Sequence, residues 1–157
     1  MRIGMGYDLH RLVPGRPLLL GGKMVPAPFG EDGHSDGDVL IHALIDALLG
    51  AAALGDIGSH FPPSDPAYRN IDSRELLART MELIRKAGYR VGNVDATVIL
   101  EKPKLKDHIQ DIRSLIASDL SIDIETVSIK AKTNESVDAV GESRAVAVHA
   151  VVLLLPL

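Results

Sequence analysis

The chain contains no cysteine, which excludes disulfides and thiolate metal sites and leaves histidine and carboxylate to carry any zinc chemistry. Aromatic residues are scarce, at 3%, so the core must be packed from small aliphatic side chains. No cationic run exists: 17 Lys and Arg stand against 21 Asp and Glu, a formal charge of -4. Extended binding to nucleic acid or to an anionic membrane is therefore not expected, although a small phosphorylated ligand is compatible with the charge. The longest apolar stretch, Val39 to Leu54, carries His42 and Asp46 and falls short of the ~20 residues of a membrane span. A strand pattern begins at the amino end, with neither a basic, apolar leader nor an Arg-rich, Ser-rich transit segment, which fits a cytoplasmic enzyme. Internal repeats, linkers and low-complexity segments are lacking as well.

What is present suffices for one domain over residues 1–157: the chain is 46% hydrophobic, enough to close its own core. Near the start, Ile3, Met5, Tyr7 and Leu9 share one strand parity and Gly4, Gly6, Asp8 and His10 the other. This predicts a strand with the first set in the core and the second lining a site. Leu18 to Val25 reads as a hairpin around Gly21-Gly22. A turn-rich segment then leads to Asp38, a cap for the buried helix that follows. Asp72 and Glu75 open a second helix in capping-box fashion, with Leu76, Leu77, Thr80, Leu83, Ile84 and Ala87 on its inner face and Gly88 as its stop. A strand from Tyr89 to Leu100 comes next, then a helix through Leu105, Ile109, Ile112, Ile116 and Leu120, and a half-buried strand from Val127 to Thr133. The apolar run Ala145 to Leu155 reads as a strand covered on both faces, with another subunit as one candidate cover. The order suggests an α+β fold, a ferredoxin-like sheet with helices on one face.

Asp8, His10 and His42 supply one carboxylate and two imidazoles, a set that can hold one divalent metal and leave a coordination position open. The structural alternative is a turn cap, a surface histidine and a hydrogen-bonded core histidine. Asp46 lies one helical turn after His42, where it could orient that ring. The turn His34-Ser35-Asp36-Gly37-Asp38 precedes a helix and suits a metal-bridged diphosphate better than a bare phosphate. Asp56-Ile57-Gly58 could receive vicinal hydroxyls or could be a simple connector. Glu101-Lys102-Pro103-Lys104 is open between a solvated loop and a pocket. Lys132-Thr133-Asn134-Glu135 offers a cation, a hydroxyl and a hard oxygen ligand, which suits diphosphate with magnesium, or else forms a polar turn.

Together Gly6-Tyr7-Asp8-Leu9-His10, His34-Ser35-Asp36-Gly37-Asp38, His42-Ala43-Leu44, Asp46-Ala47-Leu48-Leu49-Gly50-Ala51, Asp56-Ile57-Gly58 and Lys130-Ala131-Lys132-Thr133-Asn134-Glu135 closely resemble the 2-C-methyl-D-erythritol 2,4-cyclodiphosphate synthase family. Asp72-Ser73-Arg74-Glu75-Leu76-Leu77 and Gly92-Asn93-Val94-Asp95 extend the match along nearly the whole chain. The resemblance implies cyclisation of 4-diphosphocytidyl-2-C-methyl-D-erythritol 2-phosphate with release of CMP, in non-mevalonate isoprenoid synthesis, by a homotrimer with sites between subunits. It implies Zn2+ on Asp8, His10 and His42, and Mg2+ or Mn2+ held by the diphosphate and Glu135. His34 and Thr133 are implied as catalytic residues. Asp56, Ile57 and Gly58 would meet the ribose, and Leu100, Glu101, Lys102, Pro103, Lys104, Leu105 and Lys106 would enclose the cytosine with Ala131 and Lys132. Phe61, Pro62, Pro63, Ser64 and Asp65 would border the methylerythritol, with Leu9, Ser35 and Asn134 also in the substrate site.

One stretch departs from that family's pattern. Val137-Asp138-Ala139 and Gly141-Glu142-Ser143-Arg144-Ala145 stand where relatives commonly carry Leu-Gly-Phe and Gly-Arg-Gly-Glu-Gly, so the resemblance gives no support here for an isoprenoid diphosphate in the trimer cavity. Two other functions fit the same residues: a metal-dependent phosphohydrolase, and a non-catalytic trimer that binds cytidine nucleotides.

Overall fold

The computed structural model describes residues 1–33 and 35–157. In chain order the strands are β1 (Arg2–Pro14), β2 (Leu18–Leu20), β3 (Lys23–Val25), β4 (Phe29–Asp32), β5 (Tyr89–Ile99), β6 (Val127–Lys132) and β7 (Ala145–Pro156). The helices are α1 (Val39–Ala52), α2 (Ile57–His60), α3 (Ser73–Lys86), α4 (Ile109–Leu120) and α5 (Asp138–Gly141). Five strands form one sheet in the order β4-β1-β7-β5-β6, and β2 and β3 form a separate hairpin. Among the described residues only the β5–β6 pair is parallel, as a crossover through α4 requires. The main strands thus run β-α-β-α-β-β, not the β-α-β-β-α-β of a ferredoxin-like sheet. The expected ferredoxin-like arrangement gives way to a mixed five-stranded sheet with helices.

The α1 helix is buried on almost every side, and Leu40, Ile41, Leu44, Ile45, Leu48 and Leu49 have no exposed surface. Its start is fixed by Asp38, fully buried, whose carboxylate accepts from Ile41 N at 3.0 Å, Gly21 N at 3.0 Å and Gly22 N at 2.7 Å. One side chain therefore caps the helix and ties it to the β2–β3 turn, where the positive φ of Gly21 and Gly22 suits glycine. The α3 helix begins at Asp72, which accepts from Arg74 N at 2.8 Å, and is joined to α4 by a two-point Arg74–Asp119 ion pair at 2.8 and 2.6 Å.

Asp8 and His10 line a site as the sequence predicts, but the face of β1 expected in the core is the outer one. Gly4 and Gly6 are buried against α1, and a Cβ at either would overlap backbone carbonyl oxygens of Ala47 or Ala43. Bare backbone thus lets the helix settle directly onto the strand. Ile3, Met5, Tyr7 and Leu9 instead face outward, 70%, 64%, 48% and 46% exposed. Alternation separates two faces but does not say which one meets the chain's own helix, and here the close-packing face is the one without side chains. The outer face continues onto β7, where His149 and Val151 are exposed while the alternate residues Val146, Val148, Ala150 and Val152 are buried. Within one chain, the outer face of β7 is covered only at its start, where Ala145 and Ala147 are buried against Val140 of α5.

Candidate active site

The close seating of α1 on β1 brings three side chains together. Asp8 and His10 lie on the glycine-bearing face of β1, and His42 reaches them from the first turn of α1, next to the Ala43 carbonyl that Gly6 admits. Asp8 Oδ2 lies 3.0 Å from His10 Nε2 and 3.2 Å from His42 Nδ1, and the three ligand atoms fall within 4.8 Å of one another. The imidazole rings meet edge to face, with centroids 5.1 Å apart. Among the described residues this is the only His and carboxylate group placed to share a metal, and Glu135 is not part of it.

The turn before α1 fixes the rings. Gly37 O can only accept, so His10 Nδ1 donates to it at 2.6 Å, which leaves Nε2 free toward Asp8, as metal-binding imidazoles require. His42 Nε2 lies 3.0 Å from both Ser35 Oγ and Ser73 Oγ. Burial alone would raise the Asp8 carboxyl, but the hydrogen bonds and charges of His10 and His42 outweigh it and hold Asp8 well below the usual carboxylate range. Burial opposes protonation of His10, yet Asp8 and the Gly37 carbonyl raise its proton affinity above the ordinary imidazole value. Two nitrogens and one oxygen converging on one point form a donor set that fits a zinc-type cation.

This cluster opens into a cavity of about 280 Å³ lined by Asp8, His10, Ser35, His42, Asp46, Ile57, Gly58, Phe61, Pro63, Tyr68 and Leu76. The structure thus gathers both metal-type and ribose-type residues around it, and adds Tyr68 and Leu76, which carried no signal in the sequence beyond helix periodicity at Leu76. Asp46 shares the wall, but its carboxylate accepts from Ile57 N at 2.7 Å. Among the described residues, the ring nitrogens of His42 face Asp8, Ser35 and Ser73, so hydroxyls stand where the orienting contact from Asp46 was expected. Helical spacing put Asp46 on the right face, and the amide at the start of α2 takes its oxygen. Asp56 caps α2 by accepting from Ser59 N at 2.8 Å and Ser59 Oγ at 2.7 Å. Asp65 accepts from Ala67 N at 2.9 Å. Leu9 points to the opposite, exposed face of the sheet. His34 lies outside the described residues.

A second cavity, about 310 Å³, is lined by Leu100, Pro103, Lys104, Leu105, Lys106, Ile109, Ala131, Lys132 and Thr133. All but Ile109 and Thr133 belong to the segments expected to enclose a base, and Thr133 was expected in a catalytic role. Glu101 closes the loop by accepting from Asn134 N at 3.1 Å, and Thr133 Oγ1 donates to Glu135 Oε1 at 2.8 Å. The two cavities share no lining residue. Strand register nevertheless sets them at the same end of the sheet: Leu9 pairs with Ala147, Ala147 with Ile99, and Ile99 with Lys132. From β1 to β6 is three strand steps, roughly 14 Å at ~4.8 Å each, so a single chain displays the two linings on opposite flanks.

Known proteins share this sequence and fold. A 2-C-methyl-D-erythritol 2,4-cyclodiphosphate synthase of Azotobacter vinelandii is 54% identical over 157 residues, covering 100% of both chains. A solved 2C-methyl-D-erythritol-2,4-cyclodiphosphate synthase in a CDP-bound form superposes with a TM-score of 0.91 at 39% identity, over 98% of this chain and 100% of that one. The bifunctional IspDF of Campylobacter jejuni gives a TM-score of 0.96 at 40% identity over 99% of this chain, which spans 42% of that longer protein. Residues 1–155 also match the YgbB family, and with sequence and fold likeness running along the whole chain, the chain belongs to the YgbB family.

Proposed function

We propose that this chain, acting as a single domain over residues 1–157, converts 4-diphosphocytidyl-2-C-methyl-D-erythritol 2-phosphate into 2-C-methyl-D-erythritol 2,4-cyclodiphosphate and CMP, a phosphorus–oxygen lyase reaction of the non-mevalonate isoprenoid pathway. An oxygen of the substrate's own 2-phosphate attacks the β-phosphorus, the bond from that phosphorus to the bridging oxygen breaks, and CMP leaves with the electron pair. The observation that carries this reading is the convergence of Asp8, His10 and His42 in one cavity at the same sheet end as a separate Lys- and Thr-lined cavity.

Asp8, His10 and His42 would hold Zn2+, and Glu135 with the diphosphate would hold Mg2+ or Mn2+; when bound, such cations neutralise and align the phosphates. The chain's own residues do the positioning. Lys132 and Thr133 meet the phosphates as cation and hydroxyl donor, with Thr133 and His34 in the catalytic roles. The Leu100–Lys106 loop with Ala131 and Lys132 encloses the cytosine, while Asp56, Ile57 and Gly58 meet the ribose. Phe61, Pro62, Pro63, Ser64 and Asp65, with Tyr68 beside them, exclude water from the methylerythritol arm. No protein nucleophile is needed, since catalysis is charge neutralisation and orientation within one folded substrate.

The working form is a homotrimer in which the first cavity of one subunit meets the second of its neighbour. The apolar outer face of β1, with Ile3, Met5, Tyr7 and Leu9 exposed, supports this, as does the placement of the two linings on opposite flanks. A cytoplasmic location is part of the same proposal. No helix is long and apolar enough to cross a membrane.

The test is incubation of the purified protein with the cytidylyl substrate in ordinary and oxygen-18 water, with and without chelator. The expected result is CMP and an unlabelled cyclic diphosphate, both abolished by the chelator. Label in one phosphate would instead identify a phosphohydrolase, and binding of CMP or CDP without turnover would identify a nucleotide-binding module.

A further inference from the structure

We infer that Ser73, backed by Asp36, is a positioning residue for the metal site: it holds the Nε2 proton of His42 and so aims Nδ1 at the cation. The inference rests on reading Asp8, His10 and His42 as metal ligands.

A neutral imidazole carries one N–H, and the hydrogen bond at one nitrogen decides whether the other is free to ligate. His42 Nδ1 faces Asp8 and the cluster, while Nε2 faces two hydroxyls, Ser35 and Ser73, each at 3.0 Å. A hydroxyl can donate or accept, so it chooses a tautomer only when its own proton is committed elsewhere. The Ser73 proton is committed. Ser73 Oγ donates to Asp36 Oδ1 at 2.5 Å, and Asp36 also accepts from Ser73 N at 3.0 Å and Asp38 N at 3.1 Å, so its oxygens serve as acceptors in all three contacts. With its hydrogen turned to Asp36, Ser73 presents a lone pair to His42, and the ring must donate.

Ser35 does not exert that choice. Its hydroxyl oxygen accepts weakly from Gly37 N at 3.3 Å, lies 3.3 Å from Ser73 Oγ, and has no carboxylate among the described residues to hold its proton. Ser73, in contrast, is fully buried at the first position of α3. Asp36 is anchored in turn, its own amide donating to Ile71 O at 3.1 Å. A relay of Asp36 to Ser73 to His42 therefore links the start of α3 to a ligand on α1, and a carboxylate behind the hydroxyl strengthens each bond along it.

Two measurements test this, neither of them activity. Zinc dissociation constants from competition with a chromophoric chelator are expected to be weakened about 10- to 100-fold by Ser73→Ala. In the zinc-loaded parent, proton NMR is expected to reveal a slowly exchanging His42 Nε2 proton that Ser73→Ala loses. A Ser73→Ala constant within about threefold of the parent's overturns the inference while leaving the metal site intact. Absence of the protected Nε2 proton in the zinc-loaded parent overturns it too, whether or not the variant folds. A parent that takes up no zinc overturns the metal-site reading and this inference with it.

Discussion

His10 donates from Nδ1 to the carbonyl oxygen of Gly37 across 2.6 Å, and Gly37 immediately precedes Asp38, the residue that caps α1. The strand ligand and the helix carrying His42 are thus referenced to one short turn, so the cluster geometry is set before any ion enters.

Metal uptake should be coupled to protons. Asp8 binds its proton more weakly than an ordinary Asp at 3.8, and His10 more tightly than an ordinary His at 6.5. In metal-free protein, the Asp8 contribution to stability is present above 3.8 and is lost as the pH falls toward its depressed value. The His10 contribution is complete below 6.5 and is lost as the pH rises through its raised value. Chelated protein therefore gains most from this pair between those two ordinary values. Zinc must displace the His10 proton, so its affinity rises toward neutral pH, and calorimetry in buffers of different ionisation heat should register proton release. His42→Ala should lower zinc affinity on the order of 100-fold or more while leaving the circular dichroism of the fold intact.

Gly6→Ala should be costly far beyond one methyl group. The added carbon meets the Ala43 carbonyl, and relieving that contact moves α1 off β1. A loss of about 1–3 kcal/mol in urea unfolding is expected, with weakened zinc binding, because His42 moves with the helix. Gly15→Ala, where nothing lies within 4 Å of the new carbon but φ is +80°, separates strain from overlap: it should lose stability without losing metal.

Glu31 is fully buried beside Asp38, and its Oε2 has no hydrogen-bond partner among the described residues. Burial raises its proton affinity well above the ordinary carboxylate value, and burial also pushes Asp38 up to about 6. Both groups hold protons more tightly folded than unfolded. Their contribution to stability is thus complete below the ordinary carboxyl range and declines as the pH rises through about 6 for Asp38 and through the raised value of Glu31. Glu31→Gln, with no charge to desolvate, should raise stability by about 1–2 kcal/mol at pH 8 and change little at pH 5. Melting curves across that range check it, and equal effects at both pH values would refute the account.

Met5→Lys places a charge in the middle of the exposed apolar face of β1. Sedimentation should find the parent as a trimer and the variant as a monomer, since each buried side chain of this size contributes about 1.5–3 kcal/mol. The variant should keep its melting cooperativity and its zinc, because Met5 points away from α1.

The long elements were legible from their apolar patterns: α3 and α4 by helical spacing, β6 by alternation, α1 as one long apolar run behind the capping Asp38, and the β2–β3 hairpin from Gly21-Gly22. The short ones were not. Phe29-Gly30-Glu31-Asp32 has no strand pattern, and becomes β4 only because β1 extends to Pro14 and offers it an edge. The metal cluster was readable because Asp8 and His10 alternate on one strand and His42 sits alone in an apolar helix. The hydroxyl partner of His42 was not, because Ser73 lies 31 residues away in sequence and reads locally as an ordinary helix start. The inversion of β1 has the same origin: which face of a strand is interior is decided by the partner that arrives later in the chain.

The row Leu9, Ala147, Ile99, Lys132 has a consequence for how this protein behaves in dilute solution. On the proposed assembly, each catalytic centre borrows one wall from a neighbour, so specific activity should fall as the protein concentration drops below that needed to keep subunits together. Two inactive variants, one damaged at His42 and one at Lys132, should recover part of their turnover when their subunits are mixed and allowed to exchange, since some mixed centres would draw both walls from intact flanks.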